Sequence, residues 1–266
     1  MPELHGNGFP QDGLTGRLGS IQLFPGKGPA ATIADVWRIA PLPGSGAVKV
    51  RGARVEDYAA VRALERGGAT AGPAITLRQF ESRRQMFPEG QWIAECGGAI
   101  AGAGSSMVVA WDAYPLGHDW NAITADGTFA THDPSGRTLF GSDVVADATR
   151  RGFGVARALH LARRRLCRRL NLRRVAAALR MPGYAPHAEA MSPDDYAKRV
   201  VWGEIDEPSL RFHLSLGFQY CGILERFLPE DAAGGGHAAL LAWLNPLYAP
   251  PGPTARIQSQ RARKCA

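Results

Sequence analysis

Cysteine is scarce and scattered. The four cysteines, Cys96, Cys167, Cys221 and Cys265, form no Cys-x-x-Cys pair. That argues against a structural metal and against a disulfide framework, and it suits a reducing cytoplasm. Long apolar runs are missing too, and nothing approaches the roughly 20 residues that cross a bilayer. The start, Met1-Pro2-Glu3-Leu4-His5, has neither the basic residues nor the apolar core of a secretion signal. A cytoplasmic protein without a membrane role is therefore expected. Acidic charge is in deficit, with 24 Asp and Glu against 31 Lys and Arg, which leaves a formal net charge of +7. Such a balance fits nucleic acid, an acidic partner or a phosphate-rich ligand. However, no aromatic residues interleave with the arginine clusters at 163–165, 168–169 and 173–174, or with the basic tail at 261–264. A stacking platform for single-stranded nucleic acid is therefore not expected.

The common phosphate loops are absent as well. A Walker loop requires a Lys-Ser/Thr pair after its second glycine, and none stands here. Gly152 and Gly154 begin a dinucleotide fingerprint, but Arg157 occupies the third glycine position. What is present is a strand-like run over 139–146, a turn over 147–150, the hexapeptide Arg151-Gly152-Phe153-Gly154-Val155-Ala156, and a long helical pattern. The glycines let the backbone approach a ligand closely. The unpaired amides of the first helical turn, with the helix dipole, then form an anion cradle suited to a pyrophosphate. Val155, Leu159, Ala162, Leu166 and Leu170 make one apolar stripe along this helix. Arg157, Arg164 and Arg168 lie on the opposite face and read as solvated, the alternative being that one or two arginines reach a phosphate or an acidic partner.

The rest of the chain divides into three parts. Residues 1–46 are a Gly- and Pro-rich extension in which 33–39 is readable as one added strand. Order begins at a short strand from Val48, followed by a helix opening at Val55 with Tyr58, Val61, Leu64 and Glu65 at helical spacing. Thr76 caps a second helix that ends near Phe87 and Pro88. A hairpin over 91–96 and 99–111 turns at Gly97-Gly98, although Gly102 and Gly104 weaken its second strand. The segment 112–137 is too long for a hairpin loop and carries His118, Trp120, Asp126, His132 and Asp133. Its spacing matches no metal-ligand pattern, so no metal is expected. A buried strand over 175–179 precedes a polar segment with a helix capped by Ser192. A helix over 206–216 ends at Gly217, two strands over 219–227 and 237–244 follow, and 249–266 is a basic tail.

The hexapeptide resembles the pyrophosphate signature Gln/Arg-x-x-Gly-x-Gly/Ala of the GCN5-related N-acetyltransferases (GNAT), through Arg151, Gly154 and Ala156. The helix ending in Gly217-Phe218 is similar to that family's last helix, with Asp206 in place of its usual Asn and His213 in place of its Tyr. Residues 120–124, 131–136 and 180–184 resemble the acetyltransferase half of bacterial proteins fused to a carbon–nitrogen hydrolase. No hydrolase half fits after Leu247, so a stand-alone version is expected.

The resemblance implies an α/β (α+β) GNAT fold over residues 47–248. Its central mixed, mostly antiparallel sheet has six to seven strands flanked by helices and splayed at the coenzyme site. It implies acetyl-CoA as the cofactor and direct transfer to a primary amine of a small molecule or peptide. It places Arg151, Gly152, Phe153, Gly154, Val155 and Ala156 at the pyrophosphate, and Val144, Val145 and Ala146 at the thioester. Asp206 and Ser209 would contact the coenzyme from the last helix. His213 is the candidate acid for the leaving thiolate. Asp143 is the candidate base, with Asp126 and Asp133 as others. Two alternatives stand beside transfer: a coenzyme-binding module without turnover, and a basic nucleic-acid binder. A homodimer is left open.

Overall fold

The computed structural model describes residues 37–39, 48–67, 74–111 and 118–251. Most of the 1–46 extension, the stretch 112–117, and the tail beyond 251 with Cys265 lie outside the described residues. Among the described residues eight strands form one sheet: β1 (Trp37–Ile39), β2 (Val48–Gly52), β3 (Gln91–Cys96), β4 (Ala99–Val109), β5 (Thr138–Ala146), β6 (Arg174–Arg180), β7 (Gln219–Leu224) and β8 (Ala238–Leu244). Their order is β1-β2-β3-β4-β5-β6-β8-β7. Every neighbouring pair is antiparallel except β5 and β6. The eighth strand, beyond the six or seven expected, is the three-residue edge β1, which falls within the readable stretch 33–39.

Among the described residues six helices cover the sheet: α1 (Tyr58–Gly67), α2 (Leu77–Met86), α3 (Trp120–Thr124), α4 (Val155–Arg169), α5 (Pro193–Trp202) and α6 (Pro208–Ser215). Among the described residues no helix is long and apolar enough to cross a membrane. Local chemistry accounts for their starts. The Thr76 hydroxyl accepts from Gln79 N–H at 3.2 Å while the Gln79 side chain accepts from Thr76 N–H at 2.9 Å, a reciprocal cap for α2. Ser192 Oγ accepts from Asp195 N–H at 3.1 Å, with Pro193 at the first helical position of α5. Gly97 and Gly98 both take positive φ, +60° and +79°, as a two-residue hairpin between β3 and β4 requires.

The two faces of the sheet have separate cores. On one face α4, α5 and α6 bury Val155, Leu159, Leu166, Tyr196 and Leu210 against Val50, Ala101, Leu139, Val175 and Leu241. On the other, Val61 of α1, Phe80 of α2 and Ile75 just before the α2 cap pack against Ile93 and Ala103. The same side carries a third cluster in which Ile123 and Phe129 pack on Met107, Phe140 and Phe227. The described part of the enlarged 112–137 segment is thus a cover for the sheet, anchored by its own apolar residues. It is bolted to α2 by Gln79 Nε2 on the Asp126 carbonyl at 2.7 Å and Ser82 Oγ on the Thr128 carbonyl at 2.8 Å.

The glycines in β4 do not interrupt the strand, because packing requires one of them. A Cβ on Gly102 would lie 2.5 Å from Val155 Cγ1 and 3.0 Å from the Val145 carbonyl oxygen. Only glycine lets the first turn of α4 rest this closely on the sheet. The polar segment between β6 and α6 is stitched down by buried acids. Glu207 accepts from Gly183 N–H at 2.9 Å and from Tyr196 OH at 3.1 Å, and Arg180 pairs with Asp231 through bonds of 3.0 and 2.7 Å.

Candidate active site

The sheet opens between β5 and β6. Their parallel ladder runs from Thr138–Arg174 to Gly141–Ala177 and stops there, although both strands continue. Beyond it β5 stays with β4 as far as Ala146, while β6 stays with β8 as far as Arg180. A bulge causes the parting. Ser106 faces Gly141 and Ser105 faces Asp143, so Ser142 is the extra residue. A bulge bends its strand and increases the local twist, which turns β5 away from β6. It also brings neighbouring side chains to one side: Ser142 Oγ donates to Asp143 Oδ2 at 2.9 Å and accepts from Trp120 Nε1 at 3.2 Å.

Main-chain direction alternates along a strand. The Asp143 carbonyl is turned toward β4, where one guanidinium nitrogen bridges it to the Ser105 carbonyl. Asp147 N–H likewise bonds the Ala101 carbonyl at 2.9 Å. Val144 and Ala146 therefore turn their main-chain groups to the opposite side, where β6 has diverged and offers no ladder partner. The side chains of Val144 and Ala146 pack toward the α4 core and that of Val145 toward α1 and α2.

The anion cradle follows directly. Asp147 Oδ1 accepts from Thr149 N–H at 2.9 Å, and Arg150 donates to the Cys96 carbonyl at 2.6 Å, which fixes the turn. Arg151 and Gly152 are exposed. Gly152 and Gly154 have φ of +85° and +81°, in the left-handed region. A Cβ at Gly152 would meet nothing within 4 Å, so conformation rather than crowding calls for glycine there. Phe153 N–H is spent on the Arg150 carbonyl at 3.2 Å. Gly154 caps α4 without any side-chain hydrogen bond, and Ala158 N–H makes the first bond back to it at 2.9 Å. The amides of Val155 and Ala156 are thus left as donors at the positive end of a 15-residue helix. A turn open to solvent, with uncapped donors and left-handed glycines, fits a pyrophosphate.

On the α1/α2 side a pocket of about 60 Å³ lies against Ser105, Asp143, Val144 and Val145, walled by Ile75, Phe80, Trp92 and Ile93. Two carboxylates line it. Glu65 accepts from Ile75 N–H at 3.1 Å and from Arg62 at 3.3 Å. Burial, the largest influence, pushes its carboxyl up from the usual carboxylate value, and the nearby Asp143 charge pushes the same way. Asp143 is half-exposed and pairs at 2.9 Å with Arg83, a buried arginine from α2. Arg83 also donates to the Gly127 carbonyl at 2.7 Å and lies 4.5 Å from the Phe129 ring centroid.

The other candidate residues are scattered or spent locally. His213 is buried on α6 and donates from Nδ1 to the Ser209 carbonyl at 2.9 Å. Its ring meets His160 edge-on at 4.6 Å and Phe218 at 5.5 Å. Burial drives its pKa down to about 4, so at neutral pH it is an uncharged imidazole with no imidazolium proton to deliver. Asp206 is exposed and paired with Arg211 at 3.0 Å. Asp133 holds its own turn by accepting from Ser135 N–H at 2.8 Å. Asp126 sits at a left-handed turn position with φ of +53°. His132 Nδ1 accepts from Val108 N–H at 3.2 Å and stacks on Phe87 at 4.5 Å. Among the described residues no three His, Cys, Asp or Glu come together as metal ligands.

One expectation is overturned. Arg164, read as solvated, is half-buried, and Arg163 beside it is only 2% exposed. Its Nε donates to Ser106 Oγ at 2.9 Å, and its Nη2 supplies the bridge between the Ser105 and Asp143 carbonyls. Burial lowers its pKa to about 10, which leaves it charged at neutral pH. Arg164 is half-buried over Phe218 and Trp243, at 5.5 and 4.9 Å from the ring centroids. Arg157 and Arg168 keep the exposure expected of them. Glu65, Arg83 and Arg163 surround the splay and its pocket and are not among the candidates read from the sequence. The signal available for Glu65 was its place on the same helical stripe as Tyr58 and Val61.

No protein-family model matches the sequence. It is 37% identical over 169 residues to the probable hydrolase YhcX of Bacillus subtilis, a stretch covering 64% of this chain and 33% of that protein. It is 28% identical over 170 residues to the uncharacterized N-acetyltransferase YkwB of the same organism, covering 64% of this chain and 75% of that one. The aligned part thus spans only about a third of YhcX. Among solved structures, the GphF GNAT-like decarboxylase in complex with isobutyryl-CoA superimposes with a TM-score of 0.63 at 25% identity, covering 74% of this chain and 98% of that one. The splayed sheet with its glycine turn and helix is the fold of the GCN5-related N-acetyltransferases, and this chain has it.

Proposed function

We propose that this protein transfers an acetyl group from acetyl-CoA directly to a primary amine. The observation that carries the reading is the continuity of the splay with the cradle. Val144 and Ala146 turn main-chain groups into the gap between β5 and β6, and the same strand leads within one turn to the uncapped start of α4. A ligand with a thioester at one end and a pyrophosphate at the other suits that path, and coenzyme A would bring the acetyl group there as its thioester.

Each step then has residues to perform it. The 151–156 turn and the Val155 and Ala156 amides bind the phosphates. The Val144 and Ala146 amides orient and polarise the acyl carbonyl. Glu65 and Asp143 draw a cationic amine into the pocket beside Ser105. Glu65, whose proton affinity burial has raised, takes the amine proton. The neutral nitrogen then forms the new C–N bond as the C–S bond breaks, and the second proton it sheds passes through solvent to the departing sulfur. Asp143, tied to Arg83, supplies charge and positioning, and the neutral His213 braces α6. The small pocket favours a small amine or the amine end of a side chain. Nucleic acid is disfavoured because the arginine helix has turned Arg163 inward and laid Arg164 on aromatic rings.

The likeness to a GNAT-like decarboxylase raises a second reading, loss of carbon dioxide from a carboxylated acyl-CoA. The pocket opposes it, because Glu65 and Asp143 would face that carboxylate. The test runs both reactions on one preparation, with carbonyl-labelled acetyl-CoA and a panel of primary amines in one arm and malonyl-CoA in the other. Labelled amide without carbon dioxide release is expected. Carbon dioxide release without amide, or neither product, would refute the assignment.

A further inference from the structure

Arg163 is the one feature around the splay that acyl transfer as described above does not use. It rises from α4, on the opposite face from the acceptor pocket, and passes over Gly141. A Cβ on that glycine would lie 2.9 Å from Arg163 Nη1 and 3.0 Å from Cζ, so the absent side chain is what admits the guanidinium. The head ends inside the β4–β5 bulge, on Ser106 Oγ and the carbonyls of Ser105 and Asp143. No carboxylate pairs with it among the described residues. The nearest acid by position, Asp143, sends its side chain the other way, to Arg83. A buried guanidinium bonded only to neutral oxygens is costly to the fold, and an apolar side chain would fill the space more cheaply.

The carbonyl that Arg163 holds is one end of the Asp143–Val144 peptide, and the other end is Val144 N–H, which faces the splay. We propose that Arg163 is a positioning residue for acyl transfer: its guanidinium fixes the bulge and polarises the Asp143–Val144 peptide, making Val144 N–H a stronger donor to the acyl oxygen. This rests on the acetyl-CoA reading of the splay. A charged donor on a peptide carbonyl withdraws electron density across the amide and strengthens the hydrogen bond its N–H makes. As the C–N bond forms and the C–S bond breaks, negative charge gathers on the acyl oxygen. A preorganised donor aimed there contributes more than one that must reorient.

Two readings of the same variants test this. In the protein without ligand, the Val144 amide resonance reports the polarisation directly. In the protein with acetyl-CoA carrying carbon-13 at the carbonyl, difference infrared spectroscopy reports the strength of the acyl bond. For wild type the bound carbonyl stretch is expected below that of free acetyl-CoA. Arg163→Gln is expected to return the stretch most of the way toward the free value and to move the Val144 amide proton upfield. Arg163→Lys, with the charge but not the fork, is expected in between. Ser106→Ala, which releases only Nε, covers the case in which Arg163→Gln does not fold, and a smaller change of the same sign is expected. Folded variants with a wild-type stretch and a wild-type Val144 resonance would overturn the proposal. If wild type does not bind acetyl-CoA, the functional reading fails instead, and the Val144 resonance alone decides whether Arg163 polarises the peptide.

Discussion

Lowering the pH from 7 to 4 is expected to remove several kcal/mol of stability, and His160→Leu is expected to abolish a large part of that loss. His160 and His213 are both buried and in contact. Burial is the first cause of the fall in both pKa values, to about 4 for His213 and well below the usual value for His160. The charges acting on His160 are Arg163 and Arg164 on α4, which oppose its protonation, and the other packed partners are Phe212 and Phe218. The sign follows from proton counting. Between about pH 6.5 and 4 the unfolded chain binds protons at these positions and the folded protein does not, so stability is full above 6.5 and falls as the pH drops. For His213 alone the loss approaches about 3 kcal/mol, a large share of the roughly 5–15 kcal/mol of an ordinary domain. His160 Nδ1 has no hydrogen-bond partner, so leucine there removes a buried unpartnered ring nitrogen and is expected to be harmless at pH 7. Asp57, whose carboxyl is pushed up by burial but held lower overall by Arg51, acts only below its ordinary 3.8, whereas Glu65, raised by burial, offsets part of the loss and His132, lowered by burial, adds to it in both proteins. Urea midpoints measured from pH 8 to 4 would show a flatter profile for His160→Leu. Parallel profiles would refute the assignment.

Gly102→Ala is expected to destabilise the protein by about 1–3 kcal/mol and to weaken coenzyme binding at the same time. The added methyl would overlap Val155 Cγ1, and Val155 is the first residue of α4. Relief requires the first turn of α4 to lift from β4, and that turn carries the amides assigned to the pyrophosphate. A second change separates this from general damage to the strand. Val155→Ala removes the clashing methyl, so Gly102→Ala with Val155→Ala should be more stable than the sum of the single effects predicts. Thermal unfolding of the four proteins in the cycle checks this, and simple additivity would show that the contact does not set the height of α4.

The strand, turn and helix of the cradle were legible because their signals are local. An apolar run, two glycines and a 3.6-residue stripe lie within one stretch of chain, and β5, the 148–150 turn and α4 fall where that pattern puts them. The splay was not readable from the residues themselves, because it depends on one extra residue in the register of β5 against β4. Nothing in Gly141-Ser142-Asp143 announces which of the three is skipped. Arg163 was hidden for a similar reason. It stands in a run with Arg164, which lies over aromatic rings, and Arg165, which is exposed, and Gly141 on another element is what lets it reach into the bulge. Glu65 looked like an ordinary stripe position until α1 was seen to face β5 across a pocket. The 118–131 cover was ambiguous because its many polar residues conceal three anchors, Trp120, Ile123 and Phe129, that bury only once β4 and β5 are assembled.

The assignment of main-chain nitrogens at the start of α4 to the coenzyme phosphates is tested most directly by titrating coenzyme A calorimetrically into wild type and Ala156→Glu. Glutamate in the first turn suits the helix dipole, so the fold should hold while the new charge repels the pyrophosphate. The prediction is a saturable heat for wild type that disappears in Ala156→Glu with the melting temperature preserved. No heat with wild type, or equal binding by both proteins, would contradict it.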